Sequence, residues 1–129
     1  MTEHQHTPDL LGARLFWITL PVADLAGMTA WYRDTLGLPL ERTNERAAHF
    51  HWGEVPFELY RSEENACPSE PLALWVFWEV EDLEATRRAL VARGAVVGEV
   101  VVEGWGRWSG VTDPEGNEWR LTSHKPELG

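Results

Sequence analysis

Val111-Thr112-Asp113-Pro114-Glu115-Gly116-Asn117-Glu118-Trp119-Arg120-Leu121 reads as a strand, a tight turn and a second strand. Asp113 can hydrogen-bond its own backbone onward. Pro114 presets φ for the first turn position, and Gly116 or Asn117 can take a positive φ at little cost. Past the turn the side chains alternate. Trp119 and Leu121 share one face of a strand, and Glu118, Arg120 and Thr122 share the other.

Upstream, Arg14 to Val22 is apolar and rich in aromatic and branched residues, which predicts a strand buried on both faces. Phe16, Ile18 and Leu20 fall on one side; Trp17 and Thr19 fall on the other. Pro21 implies that pairing stops near it. Asp24 is a helix N-cap, and Leu25, Met28, Tyr32 and Leu36 recur at helical spacing with Trp31 beside them, until Gly37 and Pro39 end the helix. Strands are expected at Leu40–Thr43, Ala47–Trp52 and Val55–Arg61, separated by the turn residues Asn44 and Gly53. A polar, acidic loop over 62–71 follows and carries Cys67. The pattern then starts again. Leu72–Val80 reads as a strand, Asp82 caps a helix carrying Leu83, Thr86 and Leu90, and Gly94 ends it. Strands at Val96–Val102, Trp105–Thr112 and Glu118–Ser123 complete the chain.

The repeat has a fixed period. Asp24 and Asp82 are 58 positions apart, as are Leu25 and Leu83, and Trp17 and Trp75. Each half reads strand–helix–strand–strand–strand, a unit that cannot cover both faces of its own sheet. The expected fold class is therefore α+β: two βαβββ modules pairing their sheets around a cup, with the helices outside. Module one spans 13–61 and module two 72–124 of a single domain, 13–124. Residues 1–12 show no periodicity and read as a flexible tail, which gives His4 and His6 no fixed geometry for a metal.

Composition narrows the function classes. The 129 residues carry 11 basic and 21 acidic side chains, a formal charge of −10 that argues against nucleic acid and anionic membranes as partners. It is compatible with a cationic ligand. The lone Cys67 allows no intrachain disulfide, and its acidic neighbours do not favour a reactive thiolate. No apolar run approaches the roughly 18–20 residues of a membrane span, and the N-terminus lacks a signal-peptide pattern, so a cytoplasmic location is expected. Eight tryptophans are unusual for this length and are sorted by strand parity. Trp31, Trp78 and Trp119 read as core. Trp108 reads as able to reach the cup.

Two strings, Phe16-to-Leu38 (FWITLPVADLAGMTAWYRDTLGL) and Asp113-to-Leu121 (DPEGNEWRL), resemble the opening and closing segments of the glyoxalase / bleomycin-resistance / extradiol-dioxygenase superfamily, also called vicinal oxygen chelate proteins. The likeness covers both halves of the chain. It implies four inward positions, one on the first and one on the last strand of each half, where metal-dependent members carry His, Gln or Glu. Here they fall at Trp17, Glu58, Trp75 and Arg120. An indole is no metal ligand and a guanidinium repels cations, so only Glu58 keeps ligand chemistry. The resemblance thus implies a cup with no metal and no cofactor. In it Glu58 and Arg120 are expected to meet across the floor, between the walls Trp17 and Trp75. Tyr60, Phe77 and Trp108 complete the expected ligand-binding set.

The expected function is a metal-free small-molecule binding protein resembling bleomycin-resistance proteins, with an aromatic cup for a planar or cationic ligand. A homodimer is expected, because many relatives build their clefts from two chains. One alternative is a glyoxalase- or dioxygenase-like lyase or isomerase using Glu58, with or without a metal, and with Arg120 steadying an oxyanion. His49 and His51, two apart on one strand, are candidate ligands beside Glu58 for a metal of another kind. Glu79 is a further candidate acid–base partner for Glu58. A second alternative is a non-catalytic domain whose cup is filled.

Overall fold

The computed structural model describes residues 10–62 and 74–123. The expected loop with Cys67, the first two residues of the expected Leu72–Val80 strand and most of the expected tail lie outside the described residues. The elements run β1 (Ile18–Val22), α1 (Leu25–Ala30) with a π turn (Trp31–Thr35), β2 (Leu40–Thr43), β3 (Ala47–Trp52), β4 (Val55–Arg61), β5 (Phe77–Glu79), α2 (Leu83–Ala92), β6 (Val96–Val97), β7 (Val101–Glu103), β8 (Gly106–Thr112) and β9 (Glu118–Thr122). They form two mixed sheets, ordered β1-β4-β3-β2 and β5-β9-β8-β6, with β7 also paired to β8. In each sheet the first strand lies parallel to the last, and the remaining pairings are antiparallel.

The two helices begin alike. The Asp24 carboxylate accepts the Gly27 N–H at 3.0 Å, and the Asp82 carboxylate accepts the Ala85 N–H at 3.0 Å. Both end at a left-handed glycine, Gly37 (φ 80°) and Gly94 (φ 89°). The first helix departs from the expected single α-helix. Its last turn widens so that the Leu36 N–H reaches the Trp31 carbonyl at 3.1 Å, an i→i+5 bond.

Three of the expected strands differ by more than one residue from those that form. The Arg14–Val22 strand starts only at Ile18, and Leu15, Phe16 and Trp17 are exposed rather than buried. Extending its register would set Trp17 opposite Pro56, which has no N–H to donate. Pairing does not stop at Pro21: it stands opposite Tyr60, and Val22 opposite Arg61, because edge strand β1 leaves the proline's missing donor on its open side. Val96–Val102 divides in two. Val97 pairs with Val111 and Val101 with Trp108, so one strand holds one more residue than its partner, a bulge next to the Gly98 N–H bond to the Gly110 carbonyl at 2.7 Å. β5 is only three residues long, ending at Glu79 opposite Thr122, the last residue of β9.

One hydrophobic core joins the two halves, with Leu20, Val22, Met28 and Phe57 from the first and Leu83, Leu90, Val111 and Trp119 from the second. Tyr32, fully buried, has its ring 5.2 Å from Phe57 and 6.2 Å from Trp52. Trp52 stacks on Trp78 across the halves, centroids 4.4 Å apart and planes 8° from parallel, and lies 4.7 Å from Trp119. Such pairs contribute about 0.5–1.5 kcal/mol each beyond their buried area. Trp31, Trp78 and Trp119 all pack in or against this core, as their parity predicts.

The β8–β9 turn does more than reverse the chain. Asp113 accepts the N–H groups of Glu115 and Asn117, each at 2.9 Å, and Gly116 takes φ 94°. The other Asp113 oxygen accepts the Tyr32 hydroxyl at 2.6 Å, and that hydroxyl accepts the Trp119 indole N–H at 2.8 Å. Glu115 reaches the start of α1, accepting the Ala23 N–H at 2.9 Å and the Asp24 N–H at 2.8 Å. The hairpin is thus a clasp between the halves. Burial, and then the Asp113 charge, push the Tyr32 phenol well above its ordinary value.

Candidate functional site

Pleating puts alternate side chains of the first sheet on the face turned away from the core. Across β1, β4 and β3, Thr19 stands opposite Glu58 and Glu58 opposite His49, so the three form a row on that face. Trp17, just before β1, joins the row through its indole. Its Nε1–H donates to Thr19 Oγ1 at 2.9 Å, and the Thr19 hydroxyl donates to Glu58 Oε1 at 2.8 Å. The other carboxylate oxygen, Oε2, lies 3.7 Å from His49 Nε2. Next along β3, His51 Nε2 lies 2.9 Å from Glu41 Oε2. Trp17, Glu58, His49, His51 and Glu41, with Arg42 and Pro56, line a cavity of about 290 Å³. Trp17 remains 52% exposed, so its ring is a wall open to a ligand. Tyr60 lies on the same face beside an adjoining groove, with the Arg46 guanidinium 5.8 Å from its ring.

The corresponding face of the second sheet is built around Arg120 on β9. Its guanidinium carbon lies 3.9 Å from the Trp108 ring centroid, 4.4 Å from that of Trp75 and 5.6 Å from that of Phe77. Its Nε–H donates to Glu118 Oε1 at 3.0 Å. The Trp108 indole donates to Glu103 at 3.1 Å, and Trp105 packs edge-on against Phe77 at 5.6 Å. Gly110 stands opposite Arg120, and a Cβ there would run into the Glu118 carboxylate. The bare backbone makes room for the ion pair.

The expected ligand residues thus gather in two places. Trp17 and Glu58 line the first-sheet cavity; Trp75, Phe77, Trp108 and Arg120 form the second-sheet cluster. The expected Glu58–Arg120 pair does not form within the chain. Glu58 is engaged by Thr19 and His49, and Arg120 by Glu118 and aromatic rings. The physical reason is local supply: each ion finds its counter-group on its own sheet at strand spacing. His49, His51 and Glu58 do not converge, because Glu41 takes His51 and leaves His49 with Glu58. Glu58 on β4 and Glu79 on β5 belong to different sheets. Thr19 and Glu118 were legible by parity, since each lies two residues from a flagged side chain. Glu41 carried no signal, because a register shift between Leu40 and Arg42 sets its direction.

The resemblance implies that metal-dependent members hold a divalent metal at the positions matched here by Trp17, Glu58, Trp75 and Arg120. The groups present do not fit one: two indoles offer no lone pair, and the guanidinium is a fixed cation. Among the described residues no three His, Cys, Asp or Glu side chains come together as a metal-holding group. No helix among them is long and apolar enough to cross a membrane.

Residues 14–121 match the family model of the Glyoxalase/Bleomycin resistance protein/Dioxygenase superfamily. No curated protein sequence matches the chain. Among solved structures, the chain is similar to a bleomycin-binding protein from bleomycin-producing Streptomyces verticillus complexed with copper(II)-bleomycin (20% identity, 89% of this chain and 100% of that one, TM-score 0.69). It is also similar to the fosfomycin resistance protein FosX from Listeria monocytogenes with Mn(II) and sulfate (17%, 89% and 93%, 0.72). A third is a lactoylglutathione lyase from Agrobacterium tumefaciens (16%, 88% and 95%, 0.69). At these identities the likeness is one of fold, and the three activities differ. With its two mixed sheets, its helix caps 58 residues apart and a family match over most of its length, the chain belongs to the Glyoxalase/Bleomycin resistance protein/Dioxygenase superfamily.

Proposed function

We propose that this protein binds a small planar or cationic molecule by stacking and charge, without a metal. The observation that carries this reading is the Trp17–Thr19–Glu58 chain of hydrogen bonds at the mouth of the first-sheet cavity. It holds an exposed indole in one orientation beside two carboxylates, Glu58 and Glu41. A ring fixed before the ligand arrives loses little freedom on binding, and a cation against it is attracted by both the π face and the acids. The bleomycin-binding relative gives a precedent for ligand holding on this fold. Large exposed rings just before strands of both sheets, Phe16 and Trp17 before β1 and Trp75 and Trp105 before β5 and β8, support a homodimer that covers part of them.

Titration with a planar cation such as proflavine, followed by its visible absorbance, tests the reading. We expect binding in the micromolar range, weakened about tenfold by Trp17→Ala and similarly by Glu58→Gln. No binding by the wild type, or binding by either variant as tight as that of the wild type, overturns it. Elemental analysis of protein purified without a metal-affinity tag tests the second half; stoichiometric, tightly held metal overturns that part.

A further inference from the structure

The second-sheet cluster differs from the first in the sign of its chemistry. The Arg120 side chain is only 15% exposed, and three aromatic rings surround its guanidinium. One of its five N–H donors is used, by Glu118. Among the described residues neither Nη atom has a hydrogen-bond partner, yet neither is sealed from solvent. Two neighbouring acids are committed to the cluster itself, Glu118 to Nε–H and Glu103 to the Trp108 indole, while Glu79, two residues along β5 from Phe77, is exposed. A guanidinium largely stripped of water, fixed in place and with four donors free is an incomplete ion. What completes it is an oxyanion with two oxygens spaced to accept two parallel N–H bonds along the Nη edge.

We propose that Arg120, Trp75 and Trp108 form an oxyanion subsite, taking the carboxylate or phosphate-type group of a small aromatic or otherwise flat ligand. The rings present apolar surface to the body of the ligand while the fork takes its charged end. This deepens the reading above and rests on it in one respect: the faces turned away from the core are the ligand-bearing ones. A compound with a cationic and an anionic end could then be read at both ends, by Glu58 and Glu41 on one sheet and by Arg120 on the other.

Benzoate and inorganic phosphate are the probes, with acetate as the ring-free control. The readouts are the Arg120 Nε–H and the Trp75 and Trp108 indole N–H resonances in ¹⁵N–¹H spectra. In the wild type, benzoate is expected to move all three with a dissociation constant of about 1 mM or tighter, and acetate to bind more weakly. Arg120→Lys keeps the charge but loses the fork, and weakens benzoate about tenfold. Glu118→Gln removes the competing carboxylate and tightens benzoate about threefold, an effect that misfolding cannot mimic. Resonances unmoved by benzoate and phosphate at about 10 mM, or an Arg120→Lys affinity equal to wild type, overturn the proposal. So do resonances that shift only on dilution through dimer dissociation, because the fork is then engaged by a second copy. The two readings separate cleanly. A benzoate response in a wild type that binds no proflavine removes the cation reading alone; proflavine binding in a wild type that gives no benzoate or phosphate response removes the oxyanion subsite alone.

Discussion

Tyr32 shows how much a single hydroxyl can organise. It donates to Asp113 and accepts from Trp119, so one buried oxygen satisfies a carboxylate and an indole from the other half of the chain. Tyr32→Phe removes the bridge and leaves the Trp119 N–H without its partner, at an expected cost of about 1–3 kcal/mol in urea denaturation at pH 8. The phenol also carries a pH signature. Its ionisation in the folded protein lies well above 10.0, because burial and Asp113 both favour the neutral form. Below pH 10 both folded and unfolded chains keep the proton, and this contribution is fully present. As pH rises further, the unfolded chain ionises first and stability falls. Urea midpoints at pH 8 and pH 11 check this: the decline should be shallower in Tyr32→Phe than in the wild type.

At the scale of the element, the β8–β9 hairpin is a turn whose polar groups serve a distant helix. Glu115 caps two N–H groups at the β1–α1 junction, 91 and 92 positions away in sequence. Glu115→Ala leaves those donors without their carboxylate and is expected to cost about 1–2 kcal/mol, with the far-UV circular dichroism spectrum unchanged. Gly116 holds φ 94°, where a Cβ is disfavoured, so Gly116→Ala is expected to cost about 1 kcal/mol. A Glu115→Ala midpoint equal to wild type would show that water caps α1 equally well. The turn chemistry of Asp113, Pro114 and Gly116 was plain in the sequence; the second use of Asp113 and Glu115 was not, because their partners come from the other half.

For the whole molecule, the two halves share one core, so thermal unfolding should be a single transition despite the internal repeat. Trp52 is the contact most evenly divided between them, stacked on Trp78 and touching Trp119. Trp52→Ala is expected to cost about 3 kcal/mol and to lower the midpoint seen by every probe together. A calorimetric trace that splits into two peaks in the wild type would contradict a shared core. Sedimentation equilibrium at micromolar concentration should give a dimer, and Phe16→Glu, at a ring that is 72% exposed, should shift the balance to monomer.

The sequence by itself determined the order of strands and helices, the 58-residue repeat, the capping aspartates and the hairpin, because each rests on backbone preferences and side-chain parity within a few residues. Through the family resemblance it also implied two indoles and a guanidinium where metal-dependent members carry ligands. Only the tertiary structure decided which charges meet. Glu58 and Arg120 have the right types to pair, but pairing depends on distance, and Thr19 and His49 reach Glu58 while Glu118 reaches Arg120 on their own sheets. Side-chain identity states what an ion can bind; the folding of the sheets fixes which counter-group is near enough to bind it.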